Sequence, residues 1–470
     1  MRFSTFWRSA VNARTARRGR RRLSALAAAA LAFALAAPAD LHAQGRSMSL
    51  VRDTETENAM RVYLAPIFES AGLDPASVRI HLVKDDAINA FVAGGQNIFI
   101  HTGLLTAADG PGEVIGVLAH EVGHITGGHL ARFRENLENA QIQSLAALIL
   151  GGAAAIAAGE PGGVGAAVSL GDQIGRRSML SYTRDMERAA DQAAMDFLKA
   201  AGLSPKGYEQ ILVKLQRRAK LYSAGANPYE QTHPVTEDRL AFVRNQLETW
   251  PVENADMPQE YIDLHHRIKA KLAGYIQDPQ RTLEDYGPTR DDVPARYARA
   301  VAYMRDYKPD EALRLAEGLI ADFPNDPFFY ELKGDIYLNT GQVEKAVEPY
   351  EQAVQMLPWA ALIRIQLARA LLEQNRSGVE EQALDHLIKA RRYEPDSSEL
   401  WRLTAAAYNR LGDMGQVALA QAERSFRGGR NQEAKAHADR AMELLPEHGA
   451  SWLRAQDIAL QVEERQRRDE

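Results

Sequence analysis

Two textures of apolar patterning divide the chain. From about Asp53 to Trp250, alternation of β-branched residues, Gly-rich turns and helical periodicity follow one another, which predicts a mixed α+β region. From about Pro294 onward nearly every apolar residue falls at helical spacing, so the fold as a whole is expected to be mainly α. Pro251, Pro258, Pro279 and Pro288 punctuate the stretch between, which holds one helix-like segment around Tyr261 to Tyr275, and they place a boundary near 285. Within the first region the pattern predicts helices over Pro111 to Arg132 and Ser181 to Leu198. Ile98, Phe99 and Ile100, after the turn residues Gly94 and Gly95, predict a strand bordering the first of these helices. If that strand has an exposed edge, it can bind an extended peptide through backbone hydrogen bonds; a fully paired core strand is the other reading.

The second region repeats. Pro324, Pro358, Pro395 and Pro446 each end an apolar or acidic dipeptide, at spacings of 34, 37 and 51 residues. Thirty-four is the tetratricopeptide period, and Tyr330 to Pro358 carries its markers at Gly334, Tyr337, Gly341, Ala346, Tyr350 and Ala353. Trp401, Ala405, Tyr408 and Gly412, then Gly429, Ala434, Ala438 and Ala441, continue the register more weakly. Because 51 is one and a half periods, one helix is expected to be shared between units. About four helical hairpins should stack into an α-solenoid with a concave face, and period and markers together argue against an ordinary bundle.

Composition narrows the chemistry. The 470 residues include no cysteine, which excludes disulfides, thiolate zinc fingers and cysteine nucleophiles; a metal site must use His, Asp and Glu. The net charge of −6 hides an asymmetry, since residues 1–43 carry eight arginines against Asp40 alone. The apolar run Leu23 to Ala37 follows, then small residues at Ala39 and Ala43. This reads as a signal peptide over 1–43, cut before Asp40 or Gln44, and the run is shorter than the roughly 18 to 20 residues of a spanning anchor. The mature chain is then acidic and exported, with no affinity for nucleic acid phosphates.

The sharpest chemical signal is His120-Glu121-Val122-Gly123-His124. On a helix, positions 120 and 124 share a face, so both imidazoles can reach one Zn²⁺. Glu121 is turned about 100° away, where a general base is needed. A third ligand is still required. The histidine that follows at position 130 in one class of such enzymes is Leu130 here, and His129 stands one residue early, either supporting the helix end and the site or occupying a plain surface position. In the second helix Glu187 and Asp191 lie four apart on one face, so Glu187 can bind the metal while Asp191 accepts a hydrogen bond from a ligand histidine and fixes its tautomer.

With these residues in place the chain resembles the gluzincin metallopeptidases that include HtpX and the CAAX prenyl proteases. The resemblance covers roughly residues 50 to 250. It rests on Asn89-Ala90-Phe91 through Gly94-Gly95 to Gly103-Leu104-Leu105, on H-E-x-G-H, on Glu187 with Asp191, and on Thr232-His233-Pro234 followed by Arg239-Leu240. Signal peptide and repeats resemble the BepA-type periplasmic branch specifically. Three positions depart from the pattern: Ala93 for a frequent proline, Ala190 for a frequent glutamate, and Gly128 for a common arginine before His129. The last bears on whatever supports the site.

The resemblance implies a zinc endopeptidase domain over 44–285 and a repeat domain over 286–470. It implies that the His233 segment closes over the cleft, where His233 either stabilises the oxyanion together with Arg239 or occupies the open metal position and holds the enzyme latent. Clients would be misassembled outer-membrane proteins in the periplasm, with the β-barrel assembly machinery as a partner of the repeats. The Ala/Gly-rich segment 144–169 reads as a mobile lid, a surface hairpin in peripheral membrane contact, or packed core. A periplasmic chaperone or scaffold with a latent metal site is the alternative function.

Overall fold

The computed structural model describes residues 49–132, 183–221, 233–250, 257–374 and 376–469. The expected signal peptide and the segment 144–169 lie outside the described residues. Ser49–Glu470 cluster as one unit.

The N-terminal part is built on a four-stranded sheet of β1 (Leu50–Val51), β2 (Arg79–Val83), β3 (Ala90–Ala93) and β4 (Asn97–His101) in the order β1-β2-β4-β3. β2 and β4 are parallel, with Ile80 opposite Ile98, and β3 returns antiparallel on β4 with Val92 opposite Ile98. The period-2 pattern decides the faces. Ile80, Leu82, Ile98 and Ile100 enter the core, whereas Phe99 stacks on His81 and Phe91 on the other side, at ring distances of 4.8 and 5.0 Å. Ile98 to Ile100 thus belong to an inner strand. The exposed-edge expectation is corrected for β4: the edge falls to β3, because the Gly94-Gly95 turn folds β3 back along β4 as its outer neighbour.

Helices cover the buried face. α1 (Thr54–Ser70) is capped by Asp53, whose carboxylate accepts from the Thr56 N–H, and it buries Tyr63, Leu64, Ile67 and Phe68. α2 (Thr102–Ala107) leads into α3 (Pro111–Thr126), which starts with proline in its first turn and is buried at every position from Pro111 to His124. A helix so enclosed is the centre of its domain. α4 (183–200), α5 (Lys206–Leu221), α6 (Glu237–Glu248) and α7 (Gln259–Ile276) follow. Among the described residues no helix is long and apolar enough to cross a membrane.

α7 belongs to both parts. It packs on α1 and α2, and after α8 (Pro279–Asp285) also on α9 (Val293–Arg305), the first repeat helix. On the peptidase side His265 Nε2–H and Lys269 Nζ both donate to the Ala108 carbonyl, at 3.2 and 2.8 Å. Burial lowers the His265 pKa to about 4. An imidazole that must fold neutral contributes stability that is fully present above its unfolded pKa of about 6.5 and is lost as pH falls through the folded value. The shift corresponds to at most about 3 kcal/mol. Urea unfolding should therefore show His265→Gln, which can keep the bond to Ala108, losing less stability between pH 6.5 and 4 than the parent; equal losses would refute this.

The repeats run α9 with α10 (Pro309–Asp322), α11 (Pro327–Asn339) with α12 (Val343–Met356), α13 (Ala361–Glu373) with α14 (Glu380–Arg391), then α15 (Ser398–Leu411), α16 (Met414–Arg427), α17 (Asn431–Leu444) and α18 (Ala450–Asp469). Small and aromatic residues do what the repeat pattern requires: Ala346, Tyr350 and Ala353 of α12 are fully buried, and Trp401 donates from its indole to the Pro395 carbonyl at 2.7 Å. Alternate helices touch as α9 on α11 and α13 on α15, then α16 on α18. The phase slips at α16, which closes the α15 unit and opens the next. That extra helix accounts for the 51-residue spacing.

Candidate metal centre

α3 and α4 meet at a glycine. A Cβ on Gly123 would stand 2.9 Å from the Ala190 carbonyl oxygen and 3.0 Å from its Cα, so only glycine admits α4 this close. The approach carries Glu187 over His120 and His124. Its Oε2 lies 3.3 Å from His120 Nε2 and its Oε1 3.3 Å from His124 Nε2, while the two Nε2 atoms are 3.1 Å apart. His233, in the segment leading to α6, adds its Nδ1 at 2.9 Å from Glu187 Oε1. One donor atom from each of His120, His124, Glu187 and His233 falls within 4.8 Å of the others, and all four residues are buried.

Three imidazoles and a carboxylate are the nitrogen and oxygen donors that Zn²⁺ takes in tetrahedral sites. Glu121 supplies an independent test of fit. Both its carboxylate oxygens are buried without a hydrogen-bond partner, an arrangement that calls for something beyond the side chains present. Burial raises its pKa, against the opposing charges of His233 and His120. Glu121 stands beside the group without joining it, its Oε1 3.5 Å from His233 Nε2.

Electrostatics split the two helix histidines. Burial opposes the charged form of His120, but Glu187 and Asp191 outweigh it and push the pKa up to about 9. For His124 burial dominates and the pKa falls to about 3. Glu187 is held well below the usual carboxylate range despite burial, chiefly by His120.

Asp191 sits one turn after Glu187, its Oδ1 3.0 Å from His120 Nδ1. It is gripped from behind by Arg239, whose Nε and Nη2 donate to its two oxygens at 2.7 and 2.8 Å, and by the Tyr208 hydroxyl at 2.6 Å. Arg239 also reaches Glu187 Oε2 at 2.8 Å, the Pro234 carbonyl at 3.1 Å and the Tyr208 hydroxyl at 3.0 Å. Four of the five N–H groups of the guanidinium are engaged in these hydrogen bonds, and the contact to Glu187 is an ion pair. Arg239 thus positions Asp191 by hydrogen bonds and pairs with Glu187 through charge, and its share in oxyanion stabilisation stays an expectation. Tyr208 escaped the sequence reading because nothing in its spacing marks it; only the packing of α5 on α3 brings it there.

The remaining expected residues divide. His129, buried, lies against His124. On β3, the Asn89 carbonyl accepts from the His101 N–H at 3.0 Å, so by ladder alternation Phe91 and Ala93 bond to β4 while the N–H and C=O of Ala90 and Val92 point away from it. β3 also packs on α3, so this outer edge runs beside the helix of the metal group.

Comparison with known proteins agrees with this geometry. Residues 54–247 match the model of peptidase family M48. The chain is 29% identical over 360 residues to the beta-barrel assembly-enhancing protease of Escherichia coli O157:H7, covering 75% of this chain and 72% of that protein. It is 26% identical over 348 residues to the protein of the same name in Yersinia pestis, covering 73% and 70%. The metalloprotease LoiP of Escherichia coli K12 matches over 178 residues at 26% identity, 37% of this chain. The chain thus contains a region, residues 54–247, that is similar to the metalloproteases of peptidase family M48, followed by tetratricopeptide-like repeats, and it is similar over much of its length to the beta-barrel assembly-enhancing proteases.

Proposed function

We propose that the protein is an exported zinc-dependent endopeptidase of the periplasm that cleaves misfolded proteins during outer-membrane protein assembly. The observation that carries the hydrolytic reading is the buried group of His120, His124 and Glu187 with the unpartnered carboxylate of Glu121 beside it. A Zn²⁺ held by those three residues would supply a Lewis acid for the scissile carbonyl and lower the pKa of water. Glu121 takes the proton of the attacking water on its carboxylate and passes it to the leaving amine, a role favoured by its raised proton affinity. The outward edge of β3 aligns an extended substrate by main-chain hydrogen bonds, which suits clients of many sequences. The similarity to the assembly-enhancing proteases supports the client class, and the repeats supply the surface for substrates or the β-barrel assembly machinery.

His233 stands among the metal donors, 2.9 Å from Glu187, which favours the latent reading over an oxyanion role. It fills the position a substrate carbonyl would need, so cleavage requires its withdrawal. The test measures metal content and cleavage of casein or unfolded porin. One equivalent of zinc, loss of cleavage on chelation and its return with zinc are expected, and His233→Ala should raise basal cleavage several-fold. A metal-free protein, or cleavage indifferent to chelation, would overturn the zinc assignment; slower cleavage by His233→Ala would overturn the latch alone.

A further inference from the structure

The two helix histidines are supported differently. His120 turns its Nε2 to the metal group and its Nδ1 to the carboxylate of Asp191. His124 also turns its Nε2 inward, but its Nδ1 meets another imidazole, His129 Nδ1, at 2.9 Å, with the rings 4.9 Å apart and nearly perpendicular at 77°. The backbone is shaped for this contact. α3 stops at Thr126, Gly127 N–H closes on the Gly123 carbonyl, and Gly128 takes the left-handed φ of +62° before the chain resumes a helical turn over 129–132. The turn swings the His129 ring back across Gly127, where a Cβ would stand only 2.3 Å from His129 Nε2. Glycine at 127 leaves room for the ring, and glycine at 128 adopts the turn without strain. His129 is 4% exposed, so the contact is sheltered from water.

We infer that His129 is the positioning residue for the metal ligand His124: its Nδ1 accepts the Nδ1–H of His124 and so fixes that ring's tautomer and orientation, leaving the Nε2 lone pair for the ion. The inference rests on the zinc reading of the site. The chemistry dictates the direction of the bond. A histidine that ligates through Nε2 keeps its proton on Nδ1, so His124 is the donor and His129 must accept, which makes His129 neutral with its own proton on Nε2. One ligand is thus backed by a charged carboxylate and the other by a neutral ring. No other polar group among the described residues makes a hydrogen bond to His124 Nδ1.

Supporting partners of metal-bound histidines typically change metal affinity by about 10- to 100-fold when removed. Three variants separate hydrogen bonding from packing. His129→Phe keeps a ring of similar volume without an acceptor, His129→Asn offers an amide oxygen near the place of Nδ1, and His129→Ala removes both ring and acceptor. Zinc affinity is read by competition with a chromophoric chelator, and the ligand field by the visible spectrum of the Co²⁺-substituted protein, with circular dichroism as the folding check. The expected result is a loss of about 10- to 100-fold in zinc affinity for His129→Phe and His129→Ala, an altered Co²⁺ spectrum, and recovery of most of the affinity in His129→Asn. Wild-type affinity in a folded His129→Phe, or an Asn variant as weak as the Phe variant, would overturn the inference. Failure of the underlying reading looks different: the wild type itself would then bind no zinc, and Glu187→Gln would change nothing.

Discussion

Replacing Glu121 with glutamine is expected to lower the rate of peptide cleavage by about 10²- to 10⁴-fold while leaving the zinc content at one equivalent. The geometry separates the two effects. Glu121 lies outside the group formed by His120, His124, Glu187 and His233, so a neutral side chain of the same size removes the proton acceptor without removing a ligand. Its two oxygens are buried and unpartnered, so the variant breaks no internal hydrogen bond, and it no longer buries a carboxylate whose charged form burial disfavours. Thermal stability should accordingly equal or exceed that of the parent, which distinguishes lost chemistry from lost structure. Casein cleavage, metal analysis and a thermal melt on one preparation are sufficient. Cleavage within threefold of the parent would remove Glu121 from the mechanism. In cells the same variant discriminates the scaffold reading, under which it should complement a deletion fully.

The reach of the sequence follows the range of the interactions involved. His120 and His124 were legible because four residues on a helix is a local distance, and the same rule paired Glu187 with Asp191. Convergence of those two helices could only be argued from the chemistry of a third ligand; its physical cause, Gly123 against Ala190, is visible only in the packing. Apolar periodicity also overran the end of α3. It predicted a helix to Arg132, whereas the Gly127-Gly128 turn breaks it after Thr126 and reverses His129 onto His124. Arg239 was found by resemblance, but its grip on Asp191 was not legible, since sequence gives a guanidinium without saying where its donors point. Ile98 to Ile100 read equally as edge or inner strand because a run of apolar residues reports burial and not neighbours. In the repeats the 34-residue period located the hairpins, and the surplus in the last spacing did correspond to one helix, α16.

Nothing in the pattern announced the charge network that joins peptidase and repeats, and breaking it at Lys271 is expected to cost about 3 to 5 kcal/mol. Lys271 on α7 is 3% exposed, its Nζ 2.5 Å from Asp53 Oδ1, 3.1 Å from Glu55 Oε2 and 4.0 Å from Glu331 Oε2 on α11. Tyr297 of α9 donates to Glu55 at 2.9 Å, and Arg267 bridges Glu55 to Asp326. Burial alone would discharge the ammonium, yet Asp53 and the neighbouring carboxylates hold its pKa well above the ordinary lysine value. Lys271→Met keeps the length of the stem and strands those carboxylates without their cation. The cost is the desolvation of unpaired charge, so adding Asp53→Asn and Glu55→Gln should restore part of the loss. Because Glu331 already has a raised pKa through burial, protonation relieves the variant, and its deficit should shrink as pH falls. The network ties α1 to α7, α9 and α11, so its loss should also uncouple the two parts, turning one urea transition into two. Trp401 and Trp452 report on the repeats and Trp250 on the peptidase side. A deficit below 1 kcal/mol, or one that grows toward low pH, would show that the seam is held by apolar packing of α7 on α9 instead.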